Sequence, residues 1–151
     1  MNYYSTNKQA TNATLEEAVV TGLASDRGLY MPLTIKPLPK EFFDTIDQLS
    51  FQEIAFHVAE AFFGEDVPAD KLRAIVDDTL SFETPVVPVS ENIYTLELFH
   101  GPTLAFKDVG GRFMARLLSH FIQNNEQKRV NVLVATSGDT GSAVANGFLG
   151  V

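Results

Sequence analysis

The stretch Glu97-Leu98-Phe99-His100-Gly101-Pro102-Thr103-Leu104-Ala105-Phe106-Lys107-Asp108-Val109-Gly110-Gly111 sets one lysine between an apolar approach and a glycine-rich helix entrance. Leu104, Ala105 and Phe106 should dry the surroundings of Lys107. A desolvated ammonium loses part of its preference for charge, which favours a nucleophilic amine. Gly110 and Gly111 carry no side chain to hold a ligand off the backbone in what reads as the first turn of a helix, where free N–H groups suit an anion. Such a lysine, beside a phosphate-sized or carboxylate-sized ligand, can form a Schiff base, and pyridoxal 5'-phosphate is the cofactor of that chemistry. Seen alone, Lys107-Asp108 would be a weak solvated pair.

The flanks of this stretch give the fold class. Ile93-Tyr94-Thr95-Leu96-Glu97-Leu98 alternates as a strand does, and Val109 to Asn124 is amphipathic, with Phe113, Leu117 and Phe121 on one side and Arg112, Arg116 and Gln123 on another. Arg112 is close enough in sequence to assist an anion, or else serves the surface. Val130-Asn131-Val132-Leu133-Val134-Ala135 is a nearly continuous apolar run, as expected of a strand covered on both faces. Strand, helix and strand in that order predict a right-handed βαβ unit. The polar loop Thr136-Ser137-Gly138-Asp139-Thr140-Gly141 then leads into a helix from about Ser142, a turn suited to an anion at the carboxyl edge of a sheet.

Upstream, the pattern is mostly helical. Tyr3 to Ser5 reads as a short strand, Thr14-Leu15-Glu16-Glu17 as a capping box whose helix Gly22 closes, and Ser25-Asp26-Arg27-Gly28 as a turn before Leu29-Tyr30-Met31-Pro32. A segment after Pro39 repeats Phe42, Phe43, Ile46 and Leu49 at helical spacing. Ser50-Phe51-Gln52-Glu53 is a second capping box, with Phe51, Ile54, Ala55, Val58, Ala59 and Phe62 facing inward as far as Gly64. Pro68 suits the first turn of a further helix with Leu72, Ile75, Val76 and Leu80 inward. Thr84-Pro85-Val86-Val87-Pro88-Val89 disfavours a central strand and marks a junction near Ser90. No chemistry is visible in the helical block, where His57 reads as a hydrogen-bonded structural residue.

Composition excludes several classes. The chain has 151 residues, 45% of them hydrophobic with 12 Phe, enough for an ordinary core. With no cysteine and three scattered histidines there is neither a disulfide framework nor a metal site. A net charge of −8 argues against nucleic acid and anionic membrane as partners. No apolar run approaches a membrane span and no signal peptide is present, so a cytoplasmic location and a small-molecule ligand are expected.

Two motif readings compete for the glycine-containing loops. Gly101 to Lys107 only approximates a P-loop, since Phe106 stands where a glycine is needed and Asp108 replaces the hydroxyl residue. Asp139-Thr140-Gly141 matches the triplet of an aspartic protease, which at one per chain would require a homodimer. The helix-forming run Ala143-Val144-Ala145-Asn146 that follows at once opposes this. A third alternative makes the loop an ordinary turn in which Asp139 caps the next helix.

Gly101-Pro102-Thr103-Leu104-Ala105-Phe106-Lys107-Asp108 with Gly110-Gly111-Arg112 resembles the cofactor-lysine segment of the threonine synthases. Gly22-Leu23-Ala24-Ser25-Asp26-Arg27-Gly28-Leu29-Tyr30-Met31-Pro32 resembles that family's N-terminal signature, and Ala135-Thr136-Ser137-Gly138-Asp139-Thr140-Gly141 its substrate loop. The resemblance implies a pyridoxal-phosphate-dependent lyase of the β-family (fold type II), acting on a carbon–oxygen bond to phosphate. Its reaction would convert O-phospho-L-homoserine and water into L-threonine and phosphate. Lys107 would be the catalytic residue and hold the cofactor as a Schiff base. Asp139 would contact the cofactor's ring hydroxyl, where many related enzymes carry asparagine. Ser137, Gly138, Thr140 and Gly141 would hold the substrate carboxylate.

The expected fold is therefore α/β, with a mostly helical N-terminal region at 1–90 and the opening βαβ portion of a cofactor domain at 91–151. The apolar ending Gly147-Phe148-Leu149-Gly150-Val151 falls inside what the resemblance makes a packed unit. An N-terminal piece is expected, carrying the lysine without the later phosphate loop or the group facing the pyridine nitrogen. Unpaired strand edges then predict self-association. The alternative is a structural module without turnover.

Overall fold

Tyr3 begins the first ladder: β1 (Tyr3–Ser5) pairs antiparallel with β2 (Tyr30–Pro32), Tyr3 opposite Pro32 and Ser5 opposite Tyr30. The computed structural model describes residues 1–123 and 130–151. Within these the chain forms two compact units, Met1–Asp77 and Asp78–Val151.

In the first unit, α1 (Leu15–Thr21) opens with the expected capping box. The Glu17 N–H donates to Thr14 Oγ1 at 3.2 Å while Glu17 Oε2 accepts from the Thr14 N–H at 2.8 Å, so two otherwise orphaned donors are satisfied. The turn after α1 is tied to β1 by Asp26, whose carboxylate accepts from the Ser5 hydroxyl at 2.6 Å and from the backbone N–H groups of Gln9, Ala10 and Gly28 at 2.9–3.0 Å. This explains the signature around Asp26 as structural: the side chain gathers a turn that the backbone alone leaves unpaired. After α2 (Lys40–Asp44) and a 3-10 turn at Ile46–Gln48 comes α3 (Phe51–Phe63), again opened by its capping box at Ser50 and Glu53. The Tyr3 hydroxyl donates to the Phe62 carbonyl at 3.2 Å, pinning β1 to the end of α3.

Two details of this unit differ from expectation. Phe51 and Val58, expected inward, are 41% and 40% exposed, and the buried side chains of α3 are the small Ala59 and Ala61. Phe43 likewise points out while Phe42 is buried and stacks edge-on to His57 at 5.5 Å between centroids. Alanines let the helix backbone approach its neighbours, so close contact displaces the larger residues from the interface. In α4 (Ala69–Thr79) the expectation holds, with Leu72, Ile75 and Val76 buried.

The second unit contains β3 (Val86–Ser90) and β4 (Ile93–Leu96), α5 (Lys107–Ile122) and α6 (Asp139–Gly147). β3 and β4 form an antiparallel ribbon with a bulge between Pro88 and Ser90, where the missing proline donor costs least. α5 starts two residues earlier than expected and α6 three; the expected last residue of α5, Asn124, lies outside the described residues. The mixed α/β class holds, but the second strand of the βαβ unit does not form. Val130–Ala135 has no ladder partner among the described residues, and Leu133 is 92% exposed. An apolar run becomes a strand only where a neighbour supplies hydrogen bonds, and among the described residues β4 pairs with β3 alone.

α5 and α6 pack closely through Gly111 and Gly147. A Cβ on Gly147 would lie 2.8 Å from the Gly111 carbonyl oxygen, so side chains at this crossing would force the helices apart. Gly111 thus serves helix packing, not ligand approach. Arg112 is not at an anion site either: its side chain is 13% exposed and its guanidinium donates to the carbonyls of Asp78 and Thr79 and to Ser81 Oγ. Arg116 pairs with the Asp78 carboxylate and reaches the Gly147 carbonyl at 3.3 Å.

Candidate active site

Lys107 is the first residue of α5 and Asp139 the first of α6, and the α5–α6 packing brings their side chains together. Lys107 Nζ lies 3.3 Å from Asp139 Oδ2. The two side chains are 29% and 71% exposed, so the amine is half sheltered and the carboxylate wet. The Phe106 ring lies 4.3 Å from Nζ, within cation–π range.

The shelter differs from the one the sequence suggested. Leu104 is 75% and Phe106 60% exposed; only Ala105 is buried. The segment makes a turn, closed by the Leu104 N–H to the Gly101 carbonyl at 3.0 Å with Leu104 at φ +58°, and this turns both large side chains outward. These neighbours therefore do not bury Lys107; what its amine meets is the Asp139 carboxylate and the face of the Phe106 ring.

Asp108 is the residue that sequence reasoning missed. It is fully buried and pairs with Thr103, not with Lys107. Asp108 accepts from the Thr103 N–H at 2.9 Å and from its hydroxyl at 2.6 Å. Gly101 is needed beside it, because a Cβ there would lie 2.6 Å from Asp108 Oδ2. A threonine five residues ahead of an aspartate at a helix entrance was the available signal.

The loop Ser137–Gly141 surrounds the start of α6. Gly138 is the N-cap at φ +134°, a conformation suited to glycine, and among the described residues no side chain caps the helix. Asp139 therefore does not cap; its carboxylate turns to Lys107. The Gly138 N–H donates to Thr136 Oγ1 at 3.3 Å, and the Ser142 hydroxyl donates to the Gly138 carbonyl at 3.0 Å. Ser137 and Asp139 are exposed, while Thr140 and Gly141 are half-buried. With no side-chain cap, the first-turn N–H groups of α6 are left for an anion or water. Asp139 standing in a helix rather than on a strand removes the basis of the protease alternative. Among the described residues no group of acidic or histidine side chains could hold a metal, and no helix is long and apolar enough to cross a membrane.

Comparison with known proteins extends these observations. The family model described as threonine synthase N terminus matches residues 2–80. The threonine synthase of Escherichia coli K12 is 38% identical over 151 residues, an alignment covering all of this chain and 35% of that protein. The crystal structure of the Escherichia coli enzyme superposes with a TM-score of 0.89 at 39% identity, covering 99% of this chain and 34% of that one. A PLP-bound threonine synthase from Brucella melitensis gives a TM-score of 0.89 at 35% identity, over 98% of this chain and 33% of that one. The chain thus spans about a third of the length of the relatives it matches.

Proposed function

The chain belongs to the threonine synthase family, and from that premise we propose that it carries the lysine-bearing part of a pyridoxal-phosphate-dependent site converting O-phospho-L-homoserine and water into L-threonine and phosphate. The observation that carries this is the meeting of Lys107 with Asp139, two residues 32 positions apart, at the entrances of two helices. The unit Met1–Asp77 is then the N-terminal region of the family, and Asp78–Val151 the start of its cofactor-binding domain, a junction earlier than the one expected near Ser90 because the β3–β4 ribbon keeps both its strands in the second unit.

The residues present fit the cofactor. Lys107 offers a primary amine that is partly accessible, as carbonyl capture requires, and Asp139 offers a carboxylate within reach of the same space. Pyridoxal phosphate, when bound, supplies the electron sink that lets negative charge develop at the substrate's α and β carbons. Lys107 Nζ would bind the aldehyde carbon with loss of water and, once released as a free amine, carry protons at those two carbons. Asp139 would orient Nζ and accept a hydrogen bond from the ring hydroxyl. Ser137, Gly138, Thr140 and Gly141 would bind the substrate carboxylate through the loop and the uncapped N–H groups of α6. The product class is that of a carbon–oxygen lyase releasing phosphate.

The test is turnover by complementation. The chain is mixed with a polypeptide carrying the remaining two thirds of the Escherichia coli relative, and phosphate and threonine release are assayed from O-phospho-L-homoserine. Turnover that Lys107→Ala abolishes supports the proposal. A soluble, associated pair without turnover favours the alternative of a structural module.

A further inference from the structure

We propose that Asp108, held by Thr103, is the positioning residue for Lys107, a role that rests on Lys107 being the cofactor lysine. Asp108 is 0% exposed, and a buried carboxylate is costly unless hydrogen-bonded. Both of its bonds run from the second residue of α5 back to one residue of the preceding turn, at 2.9 and 2.6 Å to the Thr103 N–H and hydroxyl. The same turn holds Leu104 at φ +58°, where a branched side chain stays only under constraint, and brings Gly101 against the carboxylate.

This constraint orients more than it packs. The turn leaves Leu104 and Phe106 exposed, so it contributes little buried apolar surface of its own. What it fixes is the rotation of the first turn of α5. Successive residues of a helix point about 100° apart, so pinning Asp108 inward sets the direction in which Lys107 leaves the helix. That direction carries Nζ over the Phe106 ring and to Asp139. Released from Thr103, the first turn of α5 can fray, and Nζ then samples solvent.

Thr103→Val tests this because it removes the hydroxyl at nearly constant shape, while Thr103→Ser restores the donor; Asp108 itself is left intact, since replacing it risks the fold. Lysine amines are reductively ¹³C-methylated, which keeps their charge, and the Lys107 methyl resonance is compared with that of Asp139→Asn. In Thr103→Val the resonance is expected to move to its Asp139→Asn position, and in Thr103→Ser to return. Trapping with pyridoxal 5'-phosphate and borohydride reads the consequence. The share of label at Lys107, relative to Lys36 and Lys40, should fall about tenfold in Thr103→Val, as for one hydrogen bond to a charged group, and recover in Thr103→Ser. A Thr103→Val protein that melts earlier but keeps the wild-type Lys107 resonance and label share reduces the pair to a structural tie and overturns the proposal. An unmoved resonance in Asp139→Asn overturns it too. The resonance is read without cofactor, so these two outcomes are distinct from wild-type trapping that bypasses Lys107, which overturns the cofactor assignment itself.

Discussion

Lys107 Nζ stands 3.3 Å from Asp139 Oδ2, joining the first residue of one helix to the first residue of another. With Asp139 71% exposed, the pair is screened by water and contributes little to stability. Asp139→Asn should change the unfolding free energy by no more than about 1 kcal/mol. It should nevertheless lower the share of pyridoxal-phosphate label at Lys107. Urea unfolding and peptide mapping on the same variant check both halves; a large loss of stability would contradict the first.

Gly147→Ala couples packing to the site. The added methyl would lie 2.8 Å from the Gly111 carbonyl, a backbone atom that cannot swing aside. Separating α5 from α6 should cost about 1–3 kcal/mol and carry Asp139 away from Lys107. Denaturant midpoints report the cost, and labelling at Lys107 should fall with it.

Arg112→Ala should destabilise the second unit by about 1–3 kcal/mol, because the Asp78 and Thr79 carbonyls and Ser81 Oγ lose a charged donor. Lysine at this position should recover only part of that, since an ammonium cannot present the planar fork. Chemical denaturation followed by a probe in residues 78–151 distinguishes the two substitutions.

Asp26 gives the acid limb of stability. Four hydrogen bonds, the Ser5 hydroxyl first and then the N–H groups of Gly28, Gln9 and Ala10, hold its carboxyl down at about 2. A carboxyl depressed by folding stabilises the native state fully above its ordinary value of 3.8, and that contribution disappears as pH falls towards about 2. Melting temperature should therefore drop between about pH 4 and pH 2, and Asp26→Asn should be less stable at neutral pH with a flatter acid limb. Parallel slopes for the two proteins would contradict the assignment.

Self-association is expected from the second unit. Val86, Val89, Ile93, Tyr94 and Leu96 on the β3–β4 ribbon are each more than half exposed, and Leu133 is 92% exposed. Unpaired edges and apolar side chains together favour contacts between copies. Sedimentation velocity over a concentration series should show mass above 16.6 kDa, lowered by Ile93→Lys or Leu133→Lys. A single monomer species throughout would exclude it.

What was legible in the sequence was local. Thr14 with Glu17 and Ser50 with Glu53 announce their helices because a capping box is decided within four residues. Lys107 and the Ser137–Gly141 loop were legible as motifs, and Asp139 as a candidate within that loop. Partners at a distance were not. That Asp108 turns inward to Thr103, that Arg112 caps the carbonyls around Asp78, and that Gly111 receives Gly147 all depend on how elements pack. Val130–Ala135 has the composition of a buried strand, yet composition carries no information on whether a neighbour is there to pair with it.

The central claim is that Lys107 is the amine that takes the cofactor. Titration with pyridoxal 5'-phosphate, borohydride reduction and peptide mass mapping, on this chain and on Lys107→Ala, tests it most directly. Saturable label at Lys107, with the absorbance of a Schiff base and its loss in Lys107→Ala, is the predicted result. Label scattered over Lys8, Lys36, Lys40 and Lys71, with the same uptake in Lys107→Ala, would contradict it.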